Sequence, residues 1–140
     1  MTAAAVVLLA LSALVVFQEQ KGTTVWDGVY TAEQAKRGEA FYANSCASCH
    51  GLALNGGESA PPLTGGEFMS NWSGLTLGDL FDRIRVSMPA DRPGTLTREQ
   101  TANLVAHILN VGQFPAGKAE LSTRTENLKQ ISILAIKPEH

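Results

Sequence analysis

Two cysteines separated by two residues and followed at once by a histidine constrain this chain more than any other feature. They are its only cysteines, in the run Cys46-Ala47-Ser48-Cys49-His50. Thiols at this spacing lie one helical turn apart, so both can add to the two vinyl groups of one porphyrin. The imidazole of the next residue then reaches the iron from the same side. The motif therefore predicts one covalently attached haem c.

Other sites built on a close cysteine pair fit the sequence less well. A structural zinc site needs four ligands, but the chain has no second cysteine pair, and His107 and His140 lie far away in sequence. A thioredoxin-like redox pair would be flanked by alternating strands and helices, which the sequence does not indicate. A disulfide between Cys46 and Cys49 stays open, since an exported protein would permit it.

Length and charge narrow the class of protein further. The chain has 140 residues, 44% hydrophobic and 17% charged, which predicts a single domain. Its formal charge is −2 and no block of basic residues occurs, so nucleic acid is not an expected partner. The predicted helices and few aromatic residues give a thin core for this length, which a covalently held cofactor would complete.

The N-terminus carries an uncharged apolar run from Ala3 to Phe17. This run is shorter than the roughly 20 residues that span a membrane as a helix. We interpret residues 1–20 as an export signal, or as an N-terminal anchor if basic residues and a longer apolar run lie upstream. The protein is therefore expected in the periplasm or otherwise exported, with membrane contact only if this segment is uncleaved.

Three segments carry the apolar spacing and the start signals of helices. The pairs that cap them are Thr31 with Gln34, Thr76 with Asp79, and Thr97 with Gln100. The predicted helices run over 32–44, over 77–86, and from Thr97 to Gly112. Between the first two, residues 51–66 hold five glycines and two prolines, which predicts a wrapping loop.

Two flanking segments are less clearly patterned. Trp26 and Tyr30 suggest that residues 25–30 form a strap packed onto the domain. Residues 118–140 show an alternation of apolar and polar positions that is too weak to define a strand. We expect this tail to form a C-terminal strap.

With the haem motif and these helices, the chain resembles the class I c-type cytochromes over roughly Thr31 to Gly112. The resemblance implies an all-α, small cytochrome c-like fold, with three or more helices wrapped around one haem and a cytochrome c domain over 25–117. Gly38, Tyr42 and Cys46 follow at four-residue steps, as in that family. Gly38 would let the C-terminal helix cross closely, with Leu104 as the expected contact.

The resemblance also implies roles for residues around the iron. Pro61-Pro62-Leu63-Thr64-Gly65 matches the family's P-x-L-x-G segment, in which the proline carbonyl accepts the ring N–H of the ligating histidine. Pro61 would take this role toward His50, although simple loop rigidity also explains the proline pair. His107 stands where the family has an aromatic residue and is expected to pack rather than to bind iron.

Methionines are the candidates for the sixth iron ligand. Met88 lies 38 residues after His50, beyond a predicted helix and directly before a proline, and resembles the family's distal ligand. Met69 is the alternative. Trp72 would donate its indole N–H to a haem propionate or simply pack as a large aromatic. The alternative propionate partners are Arg83, Arg85 and Arg92.

The function implied is that of a single-electron carrier and not of an enzyme, because His50 and Met88 would leave no open position on the iron. The flanks, such as Val25 to Tyr30, resemble exported bacterial cytochromes that accompany quinoprotein dehydrogenases. The expected partners are then such a dehydrogenase as donor and a terminal oxidase or another cytochrome as acceptor. Two alternatives remain: a gas-binding or sensing haem protein with a labile sixth ligand, and a haem subunit held permanently in a dehydrogenase complex.

Overall fold

The computed structural model describes residues 22–139. This range contains six helices and one short pair of strands, joined by loops. In chain order they are β1 (Thr23–Thr24), α1 (Ala32–Ser45), α2 (Ala47–His50), α3 (Gly65–Trp72), α4 (Leu77–Ser87), α5 (Arg98–Val111), α6 (Thr125–Leu128) and β2 (Ile131–Ser132). The all-α class is confirmed. The apolar run of residues 1–20 lies outside the described residues.

Helix α5 forms the centre of the fold. Nine consecutive residues, from Thr101 to Leu109, are buried, so no face of the middle of this helix is open to solvent. The apolar stripe that the sequence predicts here runs through Leu104, Ile108 and Val111, with Val105 and Leu109 beside it, and covers only part of this circumference. The helix is covered because α1 packs along it on one side and α4 on another.

The crossing of α1 and α5 depends on Gly38. A Cβ atom built on this glycine would overlap the backbone carbonyl of Asn103 and lie 2.9 Å from Cβ of His107. The close approach predicted at Gly38 is therefore present. The atoms nearest to this Cβ position belong to Asn103 and His107. The contact expected through Leu104, which is buried on α5, stays a prediction.

All three predicted helices are present, and their starts show the predicted caps with one correction. The Thr76/Asp79 and Thr97/Gln100 pairs form complete capping boxes. At the start of α1 the Thr31 hydroxyl accepts the Gln34 backbone N–H at 3.1 Å. The Gln34 side chain, however, turns to both backbone groups of Leu121 instead of completing the box. Burial explains this, because an enclosed amide must find both a donor and an acceptor.

Helix α3 was not predicted. It begins at Gly65, inside the segment assigned to the wrapping loop, with Thr64 as its N-cap residue. Two adjacent glycines disfavour a helix locally. Packing outweighs this preference, since Phe68 is buried and Met69 and Trp72 are half-buried against the core.

The two flanking segments pair with each other. β1 and β2 form a parallel two-stranded sheet, and the indole Nε1 of Trp26 donates to the Leu134 carbonyl at 2.9 Å. Trp26 also packs edge-on against Phe114, with ring centroids 4.7 Å apart. Leu75 accepts the Ile133 N–H at 2.8 Å, which ties the tail to the start of α4. The tail therefore links the N-terminal segment to the start of α4, and through Leu121 it also contacts α1.

Candidate cofactor site

The two cysteines lie on the short helix α2, Cys46 as its N-cap residue and Cys49 within it. Cys46 ends α1 and caps α2, and its N–H donates to the Tyr42 carbonyl. Cys46 is half-buried and Cys49 is exposed, and both are free thiols. Burial, with a smaller effect of Cys49, raises the pKa of the Cys46 thiol to about 11. Cys46 is therefore protonated at neutral pH. Because Cys49 is exposed, this end of the site lies at the protein surface.

His50 closes α2 and is buried, with 8% of its surface exposed. Its ring Nδ1 lies 2.8 Å from the carbonyl oxygen of Pro61. A carbonyl can only accept, so Nδ1 carries the proton in this contact and Nε2 keeps the lone pair. The arrangement leaves one defined nitrogen, Nε2, as the atom that can bind a metal.

The loop after His50 folds back to place Pro61 beside the ring. Gly56 donates its N–H to the His50 carbonyl at 2.8 Å, and Leu63 donates to the Leu54 carbonyl at 2.9 Å. Leu54 is fully buried and anchors the loop. Gly51 turns the chain out of α2 with a φ of +80°, which glycine adopts at no steric cost.

Tyr42 contributes to this site in a way that the sequence analysis missed. Its hydroxyl donates to the carbonyl oxygen of Gly51 at 2.7 Å, so α1 fixes the residue that directly follows His50. Burial raises the pKa of Tyr42 to about 12, which keeps this donor protonated. The sequence signal for this role was the tyrosine four residues before Cys46, because its hydroxyl group needs a hydrogen-bond partner when the ring is buried.

The two candidate methionines lie on different helices. Met88 is the C-cap residue of α4, and its N–H donates to the Ile84 carbonyl at 2.9 Å. Met69 lies in α3 and lines a cavity of about 130 Å³, together with Leu63 and Ile108. Both methionines are half-buried against the core.

Trp72 and the three arginines occupy different environments. Trp72 ends α3 and stacks on Phe68 with ring centroids 6.1 Å apart. Arg83 and Arg92 are exposed, and Arg92 lies 3.7 Å from the Asp91 carboxylate. Arg85 differs, because its Nε is buried without a hydrogen-bond partner among the described residues.

His107 packs at the crossing of α1 and α5. Its ring lies 5.2 Å from the ring of Tyr42, and only 5% of the residue is exposed. Desolvation lowers the pKa of His107, against a smaller opposing effect of Glu39. His107 is therefore a neutral packing residue at physiological pH.

We expect replacement of His107 by phenylalanine to make stability less sensitive to acid. In the unfolded chain histidine takes up a proton near pH 6.5, whereas the buried ring resists it. The wild-type free energy of unfolding should therefore fall below that pH, by at most about 1.4 kcal/mol per pH unit. Urea unfolding at pH 7 and pH 5 measures this. His107→Gln is the matched control, since it also removes the proton-binding site but not the polarity. An unchanged difference between wild type and His107→Phe at the two pH values would contradict the expectation.

Two further structural features bear on the alternatives. In the part of the chain that the structure describes, no three side chains of the metal-binding types come together as a metal centre. None of the helices within residues 22–139 has the length and hydropathy to cross a membrane.

Comparisons with known proteins identify one matching protein family and a solved structure of similar fold. The family model described as cytochrome c oxidase, cbb3-type, subunit III matches residues 33–108, more than half of the chain, including every predicted site residue. The structure resembles the sulfane dehydrogenase SoxCD from Paracoccus pantotrophus with a TM-score of 0.51 and 24% identity, which shows a likeness of fold. That alignment covers 76% of this chain and 61% of that chain. The search of curated proteins found no match.

Proposed function

We propose the function of this chain from its family: it belongs to the family described as cytochrome c oxidase, cbb3-type, subunit III, and it is a class I c-type cytochrome. Such a domain carries covalently bound haem c and transfers electrons, so the protein is an electron carrier rather than an enzyme. In the finer proposal, Cys46 and Cys49 form the two thioethers, and His50 and Met88 are the axial ligands of one haem. The observation that carries it is the hydrogen bond from His50 to Pro61.

The donor set of this chain fits a haem. Both thiols are free, they lie one helical turn apart at the N-cap of α2 and within it, and Cys49 is at the surface. The His50 ring is held by Pro61 so that only Nε2 can accept a metal. A histidine tautomer fixed by a carbonyl is the usual arrangement of a metal-binding imidazole, and it raises the basicity of the ligating nitrogen.

When bound, the haem supplies an iron that cycles between the ferric and ferrous states. The chain's own residues orient and enclose it. Pro61 fixes the plane of the His50 ring, and the Tyr42 hydroxyl fixes the backbone at Gly51. We propose that the indole N–H of Trp72, which is half-buried at the end of α3, donates to a propionate, as the resemblance implies.

Electrons would enter and leave at the edge of the site formed by Cys49. This residue is exposed, whereas His50 is buried and inaccessible to a partner. Carriers that must release each partner use small, weak interfaces. We propose an exported dehydrogenase as donor and an oxidase or another cytochrome as acceptor, with the apolar run Ala3 to Phe17 as the support for export.

Residues 25–117 would form the cytochrome c domain, with residues 118–140 as a strap. The described part of the tail contacts several elements of that domain. The Leu121 N–H donates to Gln34 at 2.8 Å, and the Thr125 hydroxyl donates to Asp82 at the same distance. These contacts support a packing role for the tail.

Replacing Met88 by leucine tests the sixth ligand, with Met69→Leu as the matched control. We expect Met88→Leu to lose the weak red absorption band of a methionine sulfur on ferric haem and to bind carbon monoxide when reduced. The reduction potential should fall, because a thioether favours ferrous iron, by a sizeable part of the roughly 0.8 V range that axial ligands span. Met69→Leu should keep the band and the potential. The reverse outcome would assign the ligand to Met69.

A further inference from the structure

The carbonyl oxygen of Gly51, the residue directly after His50, accepts two hydrogen bonds. The Tyr42 hydroxyl donates to it at 2.7 Å and the Leu54 backbone N–H at 3.1 Å. A carbonyl oxygen has two lone pairs, so both are used. Tyr42 itself is 1% exposed, and its ring packs against His107 where α1 crosses α5. The helix crossing therefore fixes the first residue of the loop that follows the proposed iron ligand.

Leu54 is the residue through which this hydrogen bond acts on the rest of the loop. Its φ is +59°, in the left-handed region that residues with a side chain rarely adopt. Such a conformation persists only where surrounding contacts hold it. The contacts here are a fully buried side chain, the bond from its N–H to Gly51, and the bond at 2.9 Å from the Leu63 N–H to its carbonyl. One of these three contacts depends on the carbonyl that Tyr42 fixes.

The same loop presents the carbonyl oxygen of Pro61 to the ring of His50. This oxygen lies 2.8 Å from Nδ1 of the buried ring. Pro61 is two residues from Leu63, which is bonded to Leu54, so relaxation at Leu54 would move the Pro61 carbonyl relative to the ring. A hydrogen bond weakens as its length and angle leave their preferred values. The hydroxyl of Tyr42 is thus the first member of a chain of contacts that ends at His50 Nδ1.

We propose that the Tyr42 hydroxyl is a positioning group that holds the Pro61 carbonyl on His50 Nδ1 and thereby lowers the reduction potential of the bound haem. The inference rests on the proposed function. A hydrogen bond from Nδ1 raises the basicity of the ligating Nε2. A more basic nitrogen favours ferric iron, and hydrogen bonding to a ligand is one of the means by which a protein sets a haem potential. Phenylalanine in place of Tyr42 would fill the same space at the helix crossing but would leave the Gly51 carbonyl without this donor.

The test compares reduction potentials of the haem-loaded full chain, with Tyr42→Phe as the variant and Tyr30→Phe as the matched control. Tyr30 is equally buried, and its hydroxyl also donates to a backbone carbonyl, that of Phe114 at 2.6 Å, which lies outside the loop. Tyr42→Phe should raise the ferrous-to-ferric ratio at fixed potential about threefold, equivalent to about 28 mV for a one-electron couple. Tyr30→Phe should leave the ratio unchanged, although both variants lose stability because each removes a hydrogen bond of a buried side chain.

Proton exchange in the ferrous protein, followed by NMR, gives two further readouts. The His50 Nδ1 proton should exchange with solvent several-fold faster in Tyr42→Phe than in wild type or Tyr30→Phe, since the loop opens more often. In wild type, which needs no variant to fold, the Tyr42 hydroxyl proton should exchange slowly and lie close to the Leu54 N–H proton.

A ratio in Tyr42→Phe that equals that of Tyr30→Phe, or that falls below it, would overturn the inference and leave the proposed function intact. A Tyr42 hydroxyl proton that exchanges freely with water in wild type would do the same. Wild-type protein without covalent haem would instead overturn the proposed function itself.

Discussion

Alanine at both Cys46 and Cys49 is expected to abolish covalent haem and to lower stability at the same time. The thioethers keep the haem at an effective concentration of millimolar order or higher. A ligand at 1,000 times its Kd contributes about 4 kcal/mol to the folded state, so its loss should cost about that much. Each single replacement should weaken haem retention and stability to a smaller extent.

Acid–acetone extraction measures whether the haem is covalently held, and thermal unfolding of untreated protein measures the stability. Ser48→Ala is the matched control, since Ser48 is exposed and lies between the two cysteines on α2. It should retain all of its haem and the wild-type melting temperature. A double variant with full haem and unchanged melting would refute the view that the haem completes the core.

Replacing Gly38 by alanine should destabilise the fold by about 2–3 kcal/mol. The new methyl group would overlap the Asn103 carbonyl, which belongs to the backbone of α5 and cannot rotate away. Overpacking of this kind typically costs about 1–3 kcal/mol, and the better helix propensity of alanine offsets it by about 1 kcal/mol at most. Here the obstructing atom is backbone, so we expect the high end of the range.

Thermal and urea unfolding of the haem-loaded protein measure this effect, which should lower the melting temperature by roughly 10 °C. Gly66→Ala is the control, because Gly66 also lies within a helix and a Cβ there meets nothing within 4 Å. It should be neutral or slightly stabilising. Equal melting temperatures for the two variants would show that α1 and α5 do not depend on the contact at Gly38.

The elements that could be predicted from the sequence are those specified by nearby residues. The capping pairs Thr76/Asp79 and Thr97/Gln100 marked the starts of α4 and α5, since the two residues of each pair bond to each other. The close approach at Gly38 was predicted from the family resemblance. The motif from Cys46 to His50 could be identified for the same reason, because all its groups lie within one helical turn.

The features that were missed depend on residues distant in sequence. Thr23 pairs with Ile131 across the whole domain, and neither segment is patterned strongly enough to reveal a strand. Gln34 was assigned to a cap, but its amide lies beside Leu121, 87 residues away. Helix α3 forms despite two glycines because Phe68 has a core to pack against. Sequence spacing does not decide whether Met88 or Met69 is the sixth iron ligand, so Met88 stays a prediction in this role.

The measurement that tests the central claim most directly is a visible spectrum of the haem-loaded protein in the ferric and ferrous states, repeated under carbon monoxide. If His50 and Met88 occupy both axial positions, the ferrous spectrum should be that of a covalent six-coordinate haem and should not change when the gas is added. A clear shift under carbon monoxide would contradict the account, because it would mean that the sixth position is open or easily vacated and that the protein can bind a gas.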